Sequence, residues 1–168
     1  EVAWTDLTAR PMRTREPRAW RTGAPPARNP PSATMPELPE VETTRRGVEP
    51  QVTGRRIHAL QVYDRRLRWP VPGDLQVHLV GRSIDRVDRR SKYLLFRLGA
   101  DTLLVHLGMT GSLRVFHELP ARRAHDHVDL TLEGGVTLRY NDPRRFGAIL
   151  WLPGGEPLHA LLASLGPE

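Results

Sequence analysis

The sequence predicts a mostly β domain in which two antiparallel sheets pack as a sandwich, with an N-terminal helix and a short C-terminal helix. Short segments between residues 56 and 152 carry apolar side chains in the patterns typical of strands. They are closely spaced and no helical segment separates them, which favours antiparallel pairing. Hydrophobic residues make up 39% of the 168-residue chain, enough for one buried core.

Residues 1–34 are expected to be a disordered extension, because they contain six prolines and show no hydrophobic periodicity. They lack the apolar region of a secretory signal, and are too proline-rich for a good amphipathic transit helix. We interpret them as translated sequence upstream of a start at Met35, with a leader as the alternative. The domain is then 35–168, and its end at Gly166-Pro167-Glu168 is expected to be a truncation.

A helix is predicted over residues 39–51, because Val41, Thr44 and Val48 recur at helical spacing. Pro39 suits the first turn, where its missing N–H costs nothing. The glycines and proline at 47, 50 and 54 are stop signals.

The predicted strands follow the helix, and the glycine-containing segments 99–101 and 133–135 are predicted to be hairpin turns. Apolar residues occupy both alternating sets of segment 92–98, so this strand is expected to be covered on both faces at one end. A short C-terminal helix is predicted over 157–165. The predicted strands are 56–63, 76–80, 83–88, 92–98, 102–106, 112–117, 127–132, 136–140 and 148–152.

Charge and composition restrict the class of function. The formal net charge is +6 and the basic residues are nearly all arginine, which favours a polyanionic partner without identifying it. The absence of cysteine excludes disulfides and thiolate zinc sites from this chain. No apolar run is long enough to span a membrane, so we expect no membrane partner.

The stretch that begins Met35-Pro36-Glu37 could carry chemistry. Removal of Met35 would leave Pro36 as a terminal secondary amine, and α-amino groups titrate near pH ~7.7–8.0. An uncharged amine can attack an electrophilic carbon and form an iminium. Glu37 could then act as a general acid. The alternative is that the prolines only mark a helix start, and spacing alone does not decide between them.

Three further segments have two possible interpretations each. Lys92, in Arg89-Arg90-Ser91-Lys92, lies either at a solvated strand end or on a DNA phosphate. The loop that carries Met109 and the turn that carries Arg144 and Phe146 could fold back to cap the sandwich. Alternatively, their apolar side chains could be pushed between DNA bases.

His125, His127 and Asp129 alternate, so on a strand they would share a face and could bind a metal ion. Two imidazoles and one carboxylate are a weak signal. The alternative is that the histidines bind backbone or phosphate groups.

Five segments, in order, resemble signatures of the formamidopyrimidine-DNA glycosylases, which share a family with endonuclease VIII. The Leu after Pro-Glu and the Met and Phe loops are more similar to the formamidopyrimidine branch. The segments are Pro-Glu-Leu-Pro-Glu-Val-Glu-Thr from 36, Arg-Ser-Lys-Tyr-Leu-Leu from 90, His-Leu-Gly-Met-Thr-Gly-Ser-Leu-Arg from 106, His-Asp-His-Val-Asp-Leu from 125 and Leu-Arg-Tyr-Asn-Asp-Pro-Arg-Arg-Phe-Gly from 138.

This resemblance implies a bifunctional DNA glycosylase and abasic-site lyase of base excision repair. Its substrate would be double-stranded DNA with oxidised purines, chiefly 8-oxoguanine and formamidopyrimidines. Pro36 would attack C1′ and form the Schiff base, and Glu37 would protonate the sugar ring oxygen. Lys92 would assist base release and β-elimination.

The resemblance also implies the residues that bind DNA. His125 and Arg144 would contact the DNA backbone. Met109, Arg144 and Phe146 would fill the gap left by the everted nucleotide, with Arg144 facing the orphaned cytosine. The family would make the protein a monomer in a bacterial cytoplasm, associated with the nucleoid through DNA.

Family members continue into a helix–two-turn–helix region and a zinc finger with four cysteines, and this sequence has neither. We therefore expect no cofactor in this chain, although full-length members hold zinc. The chain alone is expected to bind damaged DNA weakly and to turn over little. The alternative is a non-enzymatic damaged-DNA-binding fragment whose Pro36 is blocked by residues 1–34.

Overall fold

The structure is a computed structural model that describes residues 38–154. The helices are α1 (Leu38–Val52) and α2 (Leu75–Leu79), and the strands are β1 (Ile57–Val62), β2 (Arg86–Arg90), β3 (Tyr93–Leu98), β4 (Asp101–His106), β5 (Ser112–Phe116), β6 (Asp126–Leu132), β7 (Val136–Asn141) and β8 (Ala148–Leu152).

The strands form two four-stranded sheets, in the orders β1-β6-β7-β5 and β2-β3-β4-β8. Every neighbouring pair is antiparallel. The predicted fold class, a mostly β antiparallel sandwich with an N-terminal helix, is confirmed.

Strand β3 is buried on both faces, as predicted. Leu94 and Phe96 are 0% exposed and belong to the main core, which also holds buried residues of β6 and β7. Tyr93 and Leu95, on the other face of β3, belong to a second apolar cluster that includes Leu104. A strand covered on both faces reads as a nearly continuous apolar run, as this one does.

Helix α1 buries Val41, Val48 and Val52 in the same core, which confirms the predicted helical spacing. It runs through Gly47 and Pro50, so these two expected stop signals do not end it. The chain leaves the helix near Gly54, whose φ of 78° lies in the left-handed region that favours glycine.

The strand predicted at 76–80 is wrong, because this segment is helix α2. Leu75 and Leu79 are buried at a spacing of four, whereas Val77 between them is 82% exposed. That is the pattern of one helical turn, and a short apolar run does not separate helix from strand by periodicity alone.

The predicted strand 83–88 is shifted in the structure. The regular strand is Arg86–Arg90, and Ser83 forms only an isolated bridge with Arg56. Ser91 and Lys92 form the turn between β2 and β3, with a φ of 52° at Ser91. Lys92 therefore lies in a turn and not within a strand. The predicted extension 1–34 and helix 157–165 lie outside the described residues.

Candidate nucleic-acid interface

Strand register brings several chain segments to one end of the sandwich, which we call the loop end. His106, the last residue of β4, is paired with Tyr93 of β3 and Ala148 of β8. In the other sheet, the last residue of β7 is paired with the first residues of β5 and β6. The connections 107–111 and 142–147 both cross between the sheets at this end.

The loop end collects the described residues that the sequence singled out for DNA contact. Lys92 lies in the β2–β3 turn, and Met109 lies in the 107–111 connection. His125 immediately precedes β6. Arg144 and Phe146 lie in the 142–147 connection. Segments separated by up to 54 positions therefore meet at one end of the sandwich.

Arg144 and Phe146 form an exposed pair at the tip of their connection. The Phe146 side chain is 42% exposed, so it does not cap the sandwich as one interpretation of the sequence required. The Arg144 guanidinium carbon lies 5.1 Å from the centre of the Phe146 ring, which is cation–π geometry. Met109, on the neighbouring connection, is half-buried. Apolar and cationic groups are thus displayed together.

Arg145 lies between Arg144 and Phe146 and turns the chain so that both of these side chains stay exposed. Its φ of 61° is left-handed, which reverses the local direction of the chain. Its guanidinium lies 3.8 Å from the Asp64 carboxylate, toward the body of the domain. Arg144 and Phe146 remain outside.

The two crossing connections touch through their backbones, and glycine makes this contact possible. A Cβ added to Gly108 would lie 2.6 Å from the carbonyl carbon of Phe146. One added to Gly147 would meet the Tyr140 hydroxyl, a backbone oxygen of β4 and, at 2.8 Å, the Asp142 carboxylate. Real Cβ atoms do not approach so closely, so both positions require glycine at this backbone geometry.

A fully buried carboxylate, Asp142, lies beneath this contact. Its Oδ1 accepts hydrogen bonds from the Thr110 hydroxyl at 2.9 Å and from the Arg145 amide at 3.1 Å. Its Oδ2 accepts from the Tyr140 hydroxyl at 3.0 Å and from the Gly147 amide at 2.8 Å. Burial and the adjacent Asp142 charge raise the pKa of Tyr140 well above its ordinary value.

His125 is exposed and has a left-handed φ of 69°. Its carbonyl oxygen accepts a hydrogen bond from the Asp142 amide at 3.0 Å. Asn141 donates from its side-chain amide to the Ala124 carbonyl at 3.1 Å. The segment before β6 is therefore fixed by the end of β7, and the imidazole is left at the surface.

A buried ion pair supports the same region from below. The Arg139 guanidinium donates to both carboxylate oxygens of Asp129, at 2.7 and 2.8 Å, and to the Pro120 carbonyl at 3.1 Å. The hydrogen bonds and charge of Asp129 raise the pKa of Arg139 above its ordinary value, against the opposing effect of burial. Tyr63 also donates to Asp129, at 2.7 Å.

The hypothesis of a metal site on His125, His127 and Asp129 is wrong. The ring nitrogens of His127 lie 3.1 Å from the Asp64 carbonyl oxygen and 2.9 Å from that of Asp142. Asp129 is bound to Arg139, and His125 lies outside the strand. Within residues 38–154, no group of three or more His, Cys, Asp or Glu side chains could hold a metal ion.

The beginning of α1 is tied to the strand that leads into the Lys92 turn. Glu42 accepts hydrogen bonds from Arg45 at 2.6 Å and from Arg89 of β2 at 2.8 Å. These two arginines lower the pKa of Glu42 to about 2. Pro36 and Glu37 lie outside the described residues.

Comparisons with known proteins agree on one family. The profile of the Formamidopyrimidine-DNA glycosylase N-terminal domain matches residues 35–149. The chain belongs to this family.

Its curated relatives include the formamidopyrimidine-DNA glycosylase of Stutzerimonas stutzeri, 61% identical over 135 residues, and that of Thioalkalivibrio sulfidiphilus, 59% identical over 134. Each alignment covers 80% of this chain and 49% of the relative. The chain thus spans about half the length of the curated relatives it matches.

Solved structures of the family have the same fold. The Lactococcus lactis enzyme, in a complex with DNA that contains FAPY-dG, is 31% identical, with a TM-score of 0.68 over 76% of this chain and 48% of that one. The same enzyme non-covalently bound to DNA with an AP site is 30% identical, also with a TM-score of 0.68, over 76% and 49%.

The sequence pointed to the exposed tips of the interface but not to the groups that hold them. Nothing in the sequence assigns a role to Asp142, Thr110 or Tyr140. The only available signal was an acidic residue in a turn after an apolar strand, a common arrangement at protein surfaces.

No helix among the described residues is long and apolar enough to cross a membrane.

Proposed function

We propose that the protein containing this chain is a DNA glycosylase of base excision repair that removes oxidised purines and cleaves the resulting abasic site through a Schiff base at Pro36. The observation that carries the proposal is the loop end, because the segments that hold Lys92, Met109, His125, Arg144 and Phe146 all lie at this end of the sandwich. Family membership and the damaged DNA in the L. lactis complexes support it.

The proposed chemistry begins at the N-terminus. The Pro36 nitrogen attacks C1′ of the damaged nucleotide, the base leaves, and an iminium joins the protein to the sugar. Glu37 protonates the ring oxygen as the sugar opens, and Lys92 assists base release and β-elimination. This requires removal of residues 1–35, because an internal proline nitrogen is an amide and has no nucleophilic lone pair.

The proposed DNA contacts follow from the exposed tips. Eversion of a nucleotide unstacks base pairs, which costs on the order of a few kcal/mol per step, and inserted apolar side chains offset that cost. Met109 and Phe146 supply the apolar surface. Arg144 faces the orphaned base, and His125 binds the DNA backbone.

The proposed partner is double-stranded DNA bound by a monomer in the bacterial cytoplasm. This chain would supply one wall of the DNA groove, and the missing half of the relatives' length would supply the other, including the zinc finger. Residues 35–168 alone would then bind lesions weakly.

The test is covalent trapping. Two forms of the longest protein that the gene encodes are compared, one beginning at Pro36 and one beginning at Glu1. Each is incubated with borohydride and a duplex containing one 8-oxoguanine, then digested and mapped by mass spectrometry. We expect a DNA adduct on Pro36 in the first form and none in the second.

Two results would contradict the proposal. One is cleavage with no adduct at Pro36. The other is lesion-selective binding without cleavage by the form that begins at Pro36, which favours the non-enzymatic alternative.

A further inference from the structure

We propose that Asp142 is a positioning residue that joins the Met109 connection and the Arg144–Phe146 connection into a single unit, so that the two tips enter the duplex together. This inference rests on the proposed function and concerns the same surface. Asp142 itself is fully buried and touches no DNA in this arrangement.

The carboxylate receives donors from both connections. The Thr110 hydroxyl belongs to 107–111, whereas the amides of Arg145 and Gly147 belong to 142–147. The Tyr140 hydroxyl lies 3.0 Å from Oδ2 and 3.0 Å from the His106 carbonyl oxygen, so its single proton is shared between these two acceptors. The three donors from the two connections therefore hold the carboxylate, two at Oδ1 and one at Oδ2. The carboxylate therefore has a defined orientation and cannot rotate without losing bonds to one connection.

Thr110 completes the link in the opposite direction. Its hydroxyl oxygen accepts a hydrogen bond from the Arg144 amide at 3.2 Å while it donates to Asp142. One hydroxyl thus bridges the residue after Met109 to the backbone of the predicted DNA-contacting arginine. Removing that hydroxyl breaks both bonds and leaves the carboxylate in place.

The backbone of Asp142 extends the same unit to the third segment of the loop end. Its amide donates to the carbonyl of His125 at 3.0 Å. Its carbonyl oxygen lies 2.9 Å from Nε2 of His127, a buried residue of β6. Asp142 therefore contacts each of the three segments that carry Met109, the Arg144–Phe146 pair and His125.

Joining the two chain connections matters for side chains that insert between DNA bases, because two separate loops would each have to become ordered on DNA. Ordering a backbone on binding opposes association, and groups held in place beforehand avoid that cost. A joined unit also fixes the distance between Met109 and Phe146. We therefore expect Asp142 to act on opening of the duplex and not on the chemistry at C1′.

The decisive variant is Thr110→Val in the full-length protein, because valine keeps the shape of threonine and lacks the hydroxyl. Thr53→Val is the matched control, since it also removes a threonine hydroxyl that donates a hydrogen bond, here to the Glu49 carbonyl at 2.7 Å at the end of α1. Thr110→Ser keeps the hydroxyl and tests rescue. Thermal melting of all variants identifies any loss of folding.

Two substrates separate wedge action from chemistry. One is a duplex with 8-oxoguanine opposite cytosine, which must be opened. The other is single-stranded DNA with an abasic aldehyde, which has no base pair to open. For Thr110→Val we expect an about tenfold lower single-turnover rate on the duplex, the scale of the two hydrogen bonds that the hydroxyl makes, and unchanged borohydride trapping on the single strand. Thr53→Val and Thr110→Ser should behave as the unchanged protein does.

A double-mutant cycle measures the coupling directly. Met109→Ala and Phe146→Ala are combined in the unchanged protein and in the Thr110→Val background. We expect non-additive effects on duplex excision in the first background and additive effects in the second.

The inference is overturned if Thr110→Val matches Thr53→Val on the duplex, or if the single-strand reaction falls equally, which indicates a general structural role. It is also overturned if the cycle is the same in both backgrounds. These failures differ from failure of the proposed function, in which the unchanged protein neither excises the lesion nor forms the adduct.

Discussion

The two ends of the sandwich are built differently. At the end opposite the loop end, which we call the hairpin end, the turns 99–100 and 133–135 join neighbouring strands of one sheet. Glycines with positive φ, such as Gly99 at 61° and Gly134 at 83°, make these turns. At the loop end the connections 107–111 and 142–147 cross between the sheets and rest on a buried carboxylate. The hairpin end is specified by local turn chemistry, whereas the loop end depends on contacts between distant segments.

The largest difference in stability between variants of the two regions is expected when a charged side chain is removed. Arg139→Met should destabilise the protein by about 3–5 kcal/mol, because it leaves the buried Asp129 carboxylate without its cationic partner. Arg86→Met, at the hairpin-end start of β2, should cost under about 1 kcal/mol, since the Arg86 side chain is 62% exposed beside Asp88. Urea unfolding measures both. Equal free-energy changes would show that the Arg139 pair contributes no more than a surface pair.

The next largest difference in stability is expected when a glycine at each end is replaced by alanine. Gly147→Ala should cost about 3 kcal/mol, because its Cβ would displace hydrogen-bonded groups around Asp142. Gly135→Ala should cost about 1–2 kcal/mol through its φ of 77° alone, since nothing lies within 4 Å of the added atom. Thermal unfolding of the two variants gives the comparison. A milder effect at Gly147 than at Gly135 would contradict the close packing of the loop end.

A smaller effect should follow pH through Glu42. Its folded pKa, about 2, is below the ordinary value of 4.5, so its ionised form is favoured by folding. That contribution is complete above pH 4.5, declines as the pH falls, and is lost near pH 2. The difference in urea midpoint between the unchanged protein and Glu42→Gln should therefore shrink over this interval. A difference that stays constant from pH 6 to pH 2 would show that the charge of Glu42 is not responsible.

The smallest effect on stability, and a large one on activity, is expected for Phe146→Ala. An aromatic ring that is 42% exposed contributes little to the core, so we expect a change below about 1 kcal/mol. Phe96→Ala, at a fully buried ring, should cost about 3–5 kcal/mol. Unfolding and duplex excision are measured on both variants. If Phe146→Ala destabilised as much as Phe96→Ala, the ring would be a structural cap.

The strands and the sandwich could be predicted from the sequence because a buried face leaves a local pattern. Helix α2 could not, since one turn with Leu75 and Leu79 inside resembles a short strand. The metal hypothesis was wrong because it assumed that His125 lies within the strand. His125 instead precedes β6 and has a left-handed φ of 69°, so it does not alternate with His127 and Asp129. For the exposed tips, side-chain chemistry alone left two interpretations open, and the DNA contact was implied by the family resemblance.

The role of Asp142 could not be predicted, because its partner Thr110 lies 32 positions away in the chain. Long-range hydrogen bonds leave no periodic signal in a single sequence. The features of the candidate site that could not be predicted are therefore those that depend on contacts between distant segments of the folded chain.

The crossing connections have a mechanical consequence. Each connection starts in one sheet and ends in the other. The thickness of the apolar layer, about 10 Å in packed sheets, therefore sets the distance between the two ends of each connection. The layer acts as a spacer for the tips, and a force that slid one sheet over the other would shear them. Core residues such as Phe96 and Leu138 would in this way set the spacing between the segments that carry Met109 and Phe146, although neither core residue belongs to the proposed DNA contacts.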